Sequence, residues 1–377
     1  MFKEKKDILF LVLFTLTGLL YYPAGIVKYI VLSIISAIMF VYTKGNKKDY
    51  YVVLFHVAFY IVLGTILALI QKNFVFDSFK QILIYLSSGF IAINYFNLYG
   101  EEKTEKLQDL QLYGMCIGYT ILYISINKFH TITWESHVYA FIFGFFALAY
   151  ICQKKWPQAV LAIIYMLIDN KRITNLSLMV ALMVVIVFMI IKNEKVRIII
   201  YKVFKVFLFV VPIMWIYVCK FDVLQNVFGI SDAFTTDRLS IWNTVKKFYT
   251  VSPLFVGKGI GFILDWMSRE GIFGLKNIHN DFLATYIELG FIGYILWLIT
   301  FLITLKYIEK KTNYELSFIA LSFIVYFFVH FLTDNIYIYI SFLLPFYIVL
   351  LSLIFGKDKT NFSKILNGKL LDRKRKN

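Results

Sequence analysis

Residues 236–297 carry the densest run of chemically able side chains in an otherwise apolar sequence. Arg238-Leu239-Ser240-Ile241-Trp242 sets a guanidinium and an indole four positions apart, on one face of any helix formed there. A guanidinium presents a planar fork of donors that suits phosphate oxygens. The same pair also suits an interfacial helix, with Arg238 among lipid headgroups and Trp242 in the aromatic belt. Gly257-Lys258-Gly259-Ile260-Gly261 allows close backbone approach, but no Lys-Ser/Thr follows and the Rossmann spacing is missing. It reads as a tight turn, not a nucleotide loop. Ile278-His279-Asn280-Asp281-Phe282-Leu283 opens an apolar run, with Asn280 or Asp281 placed to cap a helix. His279 then stands at the positive mouth of that helix, where the dipole favours the neutral imidazole that a general base requires. Glu288 falls roughly 13 Å further along, and a carboxylate at that depth needs a partner or a functional reason.

Two further polar knots interrupt apolar runs: Asp169-Asn170-Lys171-Arg172, and His330 with Thr333-Asp334-Asn335. Each is an ordinary wet turn in isolation. Under a single topology, however, Arg172, Arg238, His279 and Asp334 share one side of the membrane, where two guanidiniums and an imidazole suit a bound polyanion and a proton transfer. His56, His130 and His137 show no paired spacing, and Cys116, Cys152 and Cys219 offer neither a disulfide framework nor a metal pattern. There is no HExxH, no zinc pattern and no Asp-x-Asp pair, so no metal or other cofactor is expected.

The elements that must position these groups are membrane helices. The chain has 377 residues, 60% of them AVILMFWYC and only 16% charged, with mean hydropathy +0.73. A soluble domain is about 45–50% apolar; this composition marks an all-α polytopic membrane protein. Apolar runs predict about twelve spans, at 8–22, 27–43, 50–70, 79–98, 110–127, 137–152, 156–169, 173–191, 198–219, 282–305, 316–333 and 336–355. Net charge is +16. In a soluble chain that would suggest nucleic acid; here the charges sit between spans and set topology. Lys44, Lys47, Lys48, Lys154, Lys155, the segment from Lys192 to Lys205 and the basic tail gather on one side, which predicts that both termini are cytoplasmic. The division is an N-terminal bundle over 1–219, a large extracytoplasmic loop over 220–281 with short helices, C-terminal spans over 282–355 and a basic cytoplasmic tail over 356–377.

With these residues in view the sequence resembles the O-antigen ligase/polymerase superfamily, most closely Wzy-type polymerases of O-antigen or capsular repeat units. The resemblance rests on Arg238-x-x-x-Trp242, Pro253, Gly257-x-Gly259-x-Gly261, His279-Asn280-Asp281-Phe282-Leu283 and Glu288-Leu289-Gly290-x-x-Gly293. It implies a metal-independent, GT-C-like glycosyltransferase in the bacterial inner (plasma) membrane, working on the extracytoplasmic side. Donor and acceptor would be glycans on undecaprenyl diphosphate, with a chain-length regulator and a flippase as partners and no nucleic acid. Carried over residue by residue, His279 would activate the acceptor hydroxyl, while Arg172 and Arg238 would hold the diphosphate. Trp242, Asn280, Asp281, Glu288 and Asp334 would support them, and Trp242, Tyr249 and Trp266 would stack on sugars or anchor in the membrane. The turn at 169–174 departs from the Ser-Arg-Gly/Ala type often seen. Three readings follow: a polymerase of lipid-linked repeat units; a ligase moving finished glycan to a terminal acceptor; and a lipid-linked oligosaccharide flippase. The flippase is disfavoured, because the mid-span runs are nearly free of charge.

Overall fold

The computed structural model describes residues 5–19, 34, 48–129, 138–235, 237–270, 278–357 and 362. The chain is an all-α polytopic membrane protein. Among the described residues there is no strand, and fifteen α-helices follow in order. They are α1 (Lys5–Leu19), α2 (Phe55–Ile70), α3 (Phe76–Tyr99), α4 (Thr104–Phe129), α5 (Val138–Gln153), α6 (Trp156–Asp169), α7 (Arg172–Ile190), α8 (Glu194–Lys220), α9 (Val223–Asn226), α10 (Asp232–Thr235), α11 (Arg238–Val245), α12 (Phe262–Glu270), α13 (Asp281–Lys311), α14 (Tyr314–Thr333) and α15 (Ile340–Phe355).

Among the described residues, six helical segments are long and apolar enough to cross a membrane: Asp49–Ile70, Phe76–Tyr99, Arg172–Ile190, Glu194–Lys220, Asp281–Lys311 and Tyr314–Thr333. Shorter apolar helices at Asp7–Thr17, Tyr139–Gln153, Trp156–Asp169 and Ile340–Phe355 accompany them. Eleven of the predicted apolar runs overlap a described helix, and the run at 27–43 lies, apart from residue 34, outside the described residues. Helix α4, which contains the run at 110–127, carries buried Gln108 and Gln111 and falls outside the six candidate spans.

Helix ends follow local chemistry. Asn193, Asn280 and Asn313 are N-caps whose side chains accept from backbone N–H groups of the first turn. Pro157 sits in the first turn of α6, where its missing N–H costs nothing. Asn170 ends α6 in the left-handed region, so α7 turns back after only two residues.

The burial pattern is that of a bundle in lipid. Helix α8 exposes Ile199, Val203, Val206, Phe207, Val211 and Met214. Helix α14 is buried nearly all round and packs against α7, α13 and α8. Aromatic rings fill this centre, with Phe327 stacked on Phe346 at 4.7 Å and Trp297 on Phe331 at 6.1 Å.

The described parts of the connection between α8 and α13, residues 221–235, 237–270 and 278–280, fold onto this bundle. Its glycine segment inserts against α2, α3 and α13. Lys258 and Gly259 donate backbone N–H groups to the carbonyls of Ile287 and Glu288, Ile260 donates to that of Gly64, and Phe291 donates to that of Phe255. Helix α13 breaks at Gly290, whose φ is 73°. A Cβ at Gly257 would run into the backbone of Glu288 to Gly290, so two facing glycines make the contact sterically possible. Non-helical backbone inside such a bundle is tolerated because protein surrounds it and satisfies its polar groups.

Candidate active site

The site is built around Asp334, the residue that ends α14. Its carboxylate is 1% exposed. Oδ2 receives Lys171 Nζ at 2.6 Å and Arg238 Nη2 at 3.3 Å. Oδ1 lies 3.4 Å from His279 Nδ1 and accepts the Asn335 N–H at 2.9 Å. Three separate connections therefore meet on one side chain: the turn between α6 and α7, the start of α11, and the approach to α13. Burial alone would raise the Asp334 pKa, but Lys171, His279 and Arg238 outweigh it and hold the carboxyl well below its usual range. An ionised carboxylate only accepts, so His279 Nδ1 is the donor in this contact and Nε2 points away from Asp334. The arrangement can therefore orient a base and present cations to an anion at once.

His279 is itself unusual. Its φ is 50°, in the left-handed region that non-glycine residues adopt at a cost of about 1–3 kcal/mol. Both neighbours hold it there. Trp242 Nε1 donates to the Ile278 carbonyl at 2.9 Å, and the Asn280 side chain accepts the Leu283 N–H at 2.9 Å. Asp281 donates its backbone N–H to the Asp334 carbonyl at 3.2 Å. Its own carboxylate accepts from Asn335 Nδ2 at 3.2 Å and from the Tyr337 N–H at 2.9 Å. The short link after α14 is thus bound to the mouth of α13 on both sides.

Arg238 opens α11. The turn before it is fixed by Asp232, which accepts both the N–H and the hydroxyl of Ser240. Arg172 is the first residue of α7 and is exposed; Lys171, one position earlier, makes the contact with Asp334.

Glu288 is 1% exposed and sits apart from this cluster. It accepts from the Tyr60 hydroxyl and from the backbone N–H groups of Gly261 and Ile263 at 3.1 and 3.2 Å. It fastens the glycine segment and the start of α12 to α13, which is the partner its depth demanded.

The loop aromatics are packing groups. Trp242, Tyr249 and Trp266 are each no more than 4% exposed. Trp242 packs edge-on against Trp215 at 5.8 Å, and Trp266 against Phe248 at 4.9 Å. The remaining loop cations are dispersed: Lys246 pairs with Asp222, and Arg269 with Asp265 at 2.6 Å.

An apolar cleft of about 210 Å³ opens between α7, α8, α13 and α14. Leu208, Pro212, Phe282, Val329 and Leu332 are among its lining residues. Phe282 follows Asp281, and Leu332 precedes Asp334 by two positions, so the cleft ends beside the polar cluster.

Fold and site together define a polytopic helical membrane protein with a histidine, two cations and a carboxylate gathered beside an apolar cleft. Residues 157–298 match the family model described as O-antigen ligase (Wzy_C). That match supports the O-antigen ligase/polymerase superfamily and, with it, an enzyme role in polysaccharide assembly at the membrane. It takes in Lys171, Arg238, His279 and Glu288 and stops short of Asp334. No curated protein and no solved structure matches the chain.

Proposed function

We propose that the protein is a polymerase of undecaprenyl-diphosphate-linked repeat units, working on the outer face of the plasma membrane. The observation that carries this reading is the meeting of Lys171, Arg238 and His279 on one buried carboxylate at the end of an apolar cleft.

A hydroxyl of the acceptor glycan attacks the anomeric carbon of the donor. The new glycosidic bond forms as the bond to the lipid diphosphate breaks. His279 Nε2 takes the hydroxyl proton, with Nδ1–H held by Asp334. Negative charge grows on the departing diphosphate, so Arg238 and a cation of the 169–172 turn, fixed nearby, lower the barrier. Such preorganised charge contributes about 3–4 kcal/mol per donor in well-studied sites. The cleft takes part of the polyprenyl tail, and the diphosphate then lies at the rim beside Phe282 and Leu332. Asp281, Asn280 and Trp242 position His279, and Glu288 keeps the loop seated.

His279→Ala in the native host tests the reading. Surface glycan should shrink to single repeat units. Long glycan stranded on the lipid carrier would indicate instead the ligase, the second reading, which the description of the matching family favours. Units trapped on the inner leaflet would indicate a flippase. Unchanged chain length would rule out the site.

A further inference from the structure

We propose that residues 251–256 form a re-entrant tip whose apolar side chains lie among the acyl chains of the leaflet on the site's side, so that this part of the connection between α8 and α13 is bundle wall rather than water-exposed loop. Two helices fix the depth of the tip. Val256 bridges to Gly290, and Phe291 donates its N–H to the Phe255 carbonyl at 3.0 Å. Gly290 stands nine residues along α13 from Asp281, about 13 Å at helical rise. One turn further, Gly293 abuts Leu63, which lies seven residues, about 10 Å, short of the end of α2 at Ile70. From Gly290 to Lys306, where charge returns at the opposite end of α13, the helix rises only about 24 Å. That is less than the roughly 30 Å of hydrocarbon in a bilayer, so with Lys306 at the far boundary the tip falls inside the hydrocarbon.

At that depth protein engages the backbone while the side chains face outward. The Leu254 N–H reaches Ser252 Oγ at 3.2 Å, and the Phe255 N–H reaches the Ser252 carbonyl at 3.0 Å. Just past the tip, Asn73 Nδ2 donates to the Lys258 carbonyl at 3.1 Å. Irregular backbone held this way is what a bilayer tolerates. Leu254, in contrast, is 89% exposed and Val256 55%, and Val251 is exposed beside them. Exposed apolar side chains flank the tip on both helices: Val62 and Ile66 on α2, Ile292 and Leu296 on α13. A patch continuous across two helices and a loop marks an interaction surface. Its neighbours on either side belong to candidate membrane spans, so the surface that covers it is the same lipid that covers them.

Full-length protein in nanodiscs of phospholipid brominated on its acyl chains tests this. A bimane label on Leu254→Cys should lose fluorescence comparably to one on Val206→Cys, an exposed position midway along α8, whereas a label on Arg269→Cys, exposed at the end of α12, should stay bright. Cys116, Cys152 and Cys219 are buried, and wild type serves as the blank. A charged maleimide should modify Leu254→Cys about tenfold or more slowly than Arg269→Cys, because an apolar surrounding suppresses the reactive thiolate. On unaltered protein, a phospholipid with a diazirine in its acyl chain should leave adducts on residues 251–256 after illumination. A bright label at Leu254→Cys, reaction as fast as at Arg269→Cys, or no adducts on the wild-type segment would each overturn the proposal. Slow reaction without quenching would overturn it in favour of a second copy of the chain covering the patch.

Discussion

Asp334→Asn is the most informative single change, because the carboxylate joins three connections. The amide keeps an oxygen that can accept from Asn335 and His279, but it loses the charge that draws Lys171 and Arg238. Hydrogen bonds to a charged partner contribute about 1.5–3 kcal/mol and neutral ones about 0.5–1.5 kcal/mol. Weakening three of them places the loss in stability near 3 kcal/mol, at the lower edge of the 3–5 kcal/mol typical of a broken buried pair. The partners are 15–22% exposed and recover part of their hydration. Activity should fall further than stability, because His279 loses the acceptor that fixes its tautomer; a misplaced general base costs about 10²–10⁴ in rate. The pH dependence has a definite sign. The folded carboxyl lies below its unfolded value, so its contribution is present above about pH 4 and is lost as pH falls towards the folded value. Thermal unfolding of wild type and variant in nanodiscs should therefore differ by a constant amount between pH 5 and 8 and converge in acid. A variant with wild-type turnover and glycan length would refute the role given to Asp334. A difference that vanishes at neutral pH would refute the charge argument.

Other expectations follow from the same geometry. Trp242→Phe keeps an aromatic ring against Trp215 but removes the indole N–H that donates to the Ile278 carbonyl; stability should drop by about 0.5–1.5 kcal/mol, and kcat should fall more than KM changes, as steady-state kinetics would show. Gly290→Ala meets both the left-handed φ and the backbone of Val256 and Gly257; the yield of monodisperse protein on gel filtration should collapse, whereas Gly229→Ala, which meets no neighbouring atom, should cost only the strain of its own positive φ. Val329→Trp fills part of the apolar cleft; KM for a long-chain lipid donor should rise several-fold, with little change for a donor carrying a short prenyl tail.

Much of the fold is written in hydropathy. Helices α2, α3, α7, α8, α13 and α14 fall where apolar runs of about 20 residues exist. The Asn193, Asn280 and Asn313 caps stand where Asn precedes such a run. Arg238, His279 and Asp334 stand out in the sequence for a related reason: polar groups at the ends of greasy helices are conspicuous, and the fold brings these three side chains together.

What was not legible depends on long-range geometry. Lys171 and Arg172 are equivalent in sequence, and only the left-handed Asn170 decides which one faces Asp334. Trp242 reads as an interfacial residue until the loop is seen to fold over it. The glycine segment gives no local sign that it will pair with the break in α13, because the contact joins Val256 to Gly290. Glu288 signalled only that a partner was needed; the Gly261 and Ile263 amides come from a connection whose path hydropathy does not define.

The decisive measurement is glycan transfer by purified protein in nanodiscs, supplied only with a synthetic undecaprenyl-diphosphate-linked repeat unit. Wild type should release undecaprenyl diphosphate as chains lengthen, and His279→Ala should do neither while remaining folded and still binding the lipid. Chains that grow at the wild-type rate in His279→Ala, or a wild type that leaves the lipid-linked unit untouched, would contradict the catalytic role of this cluster.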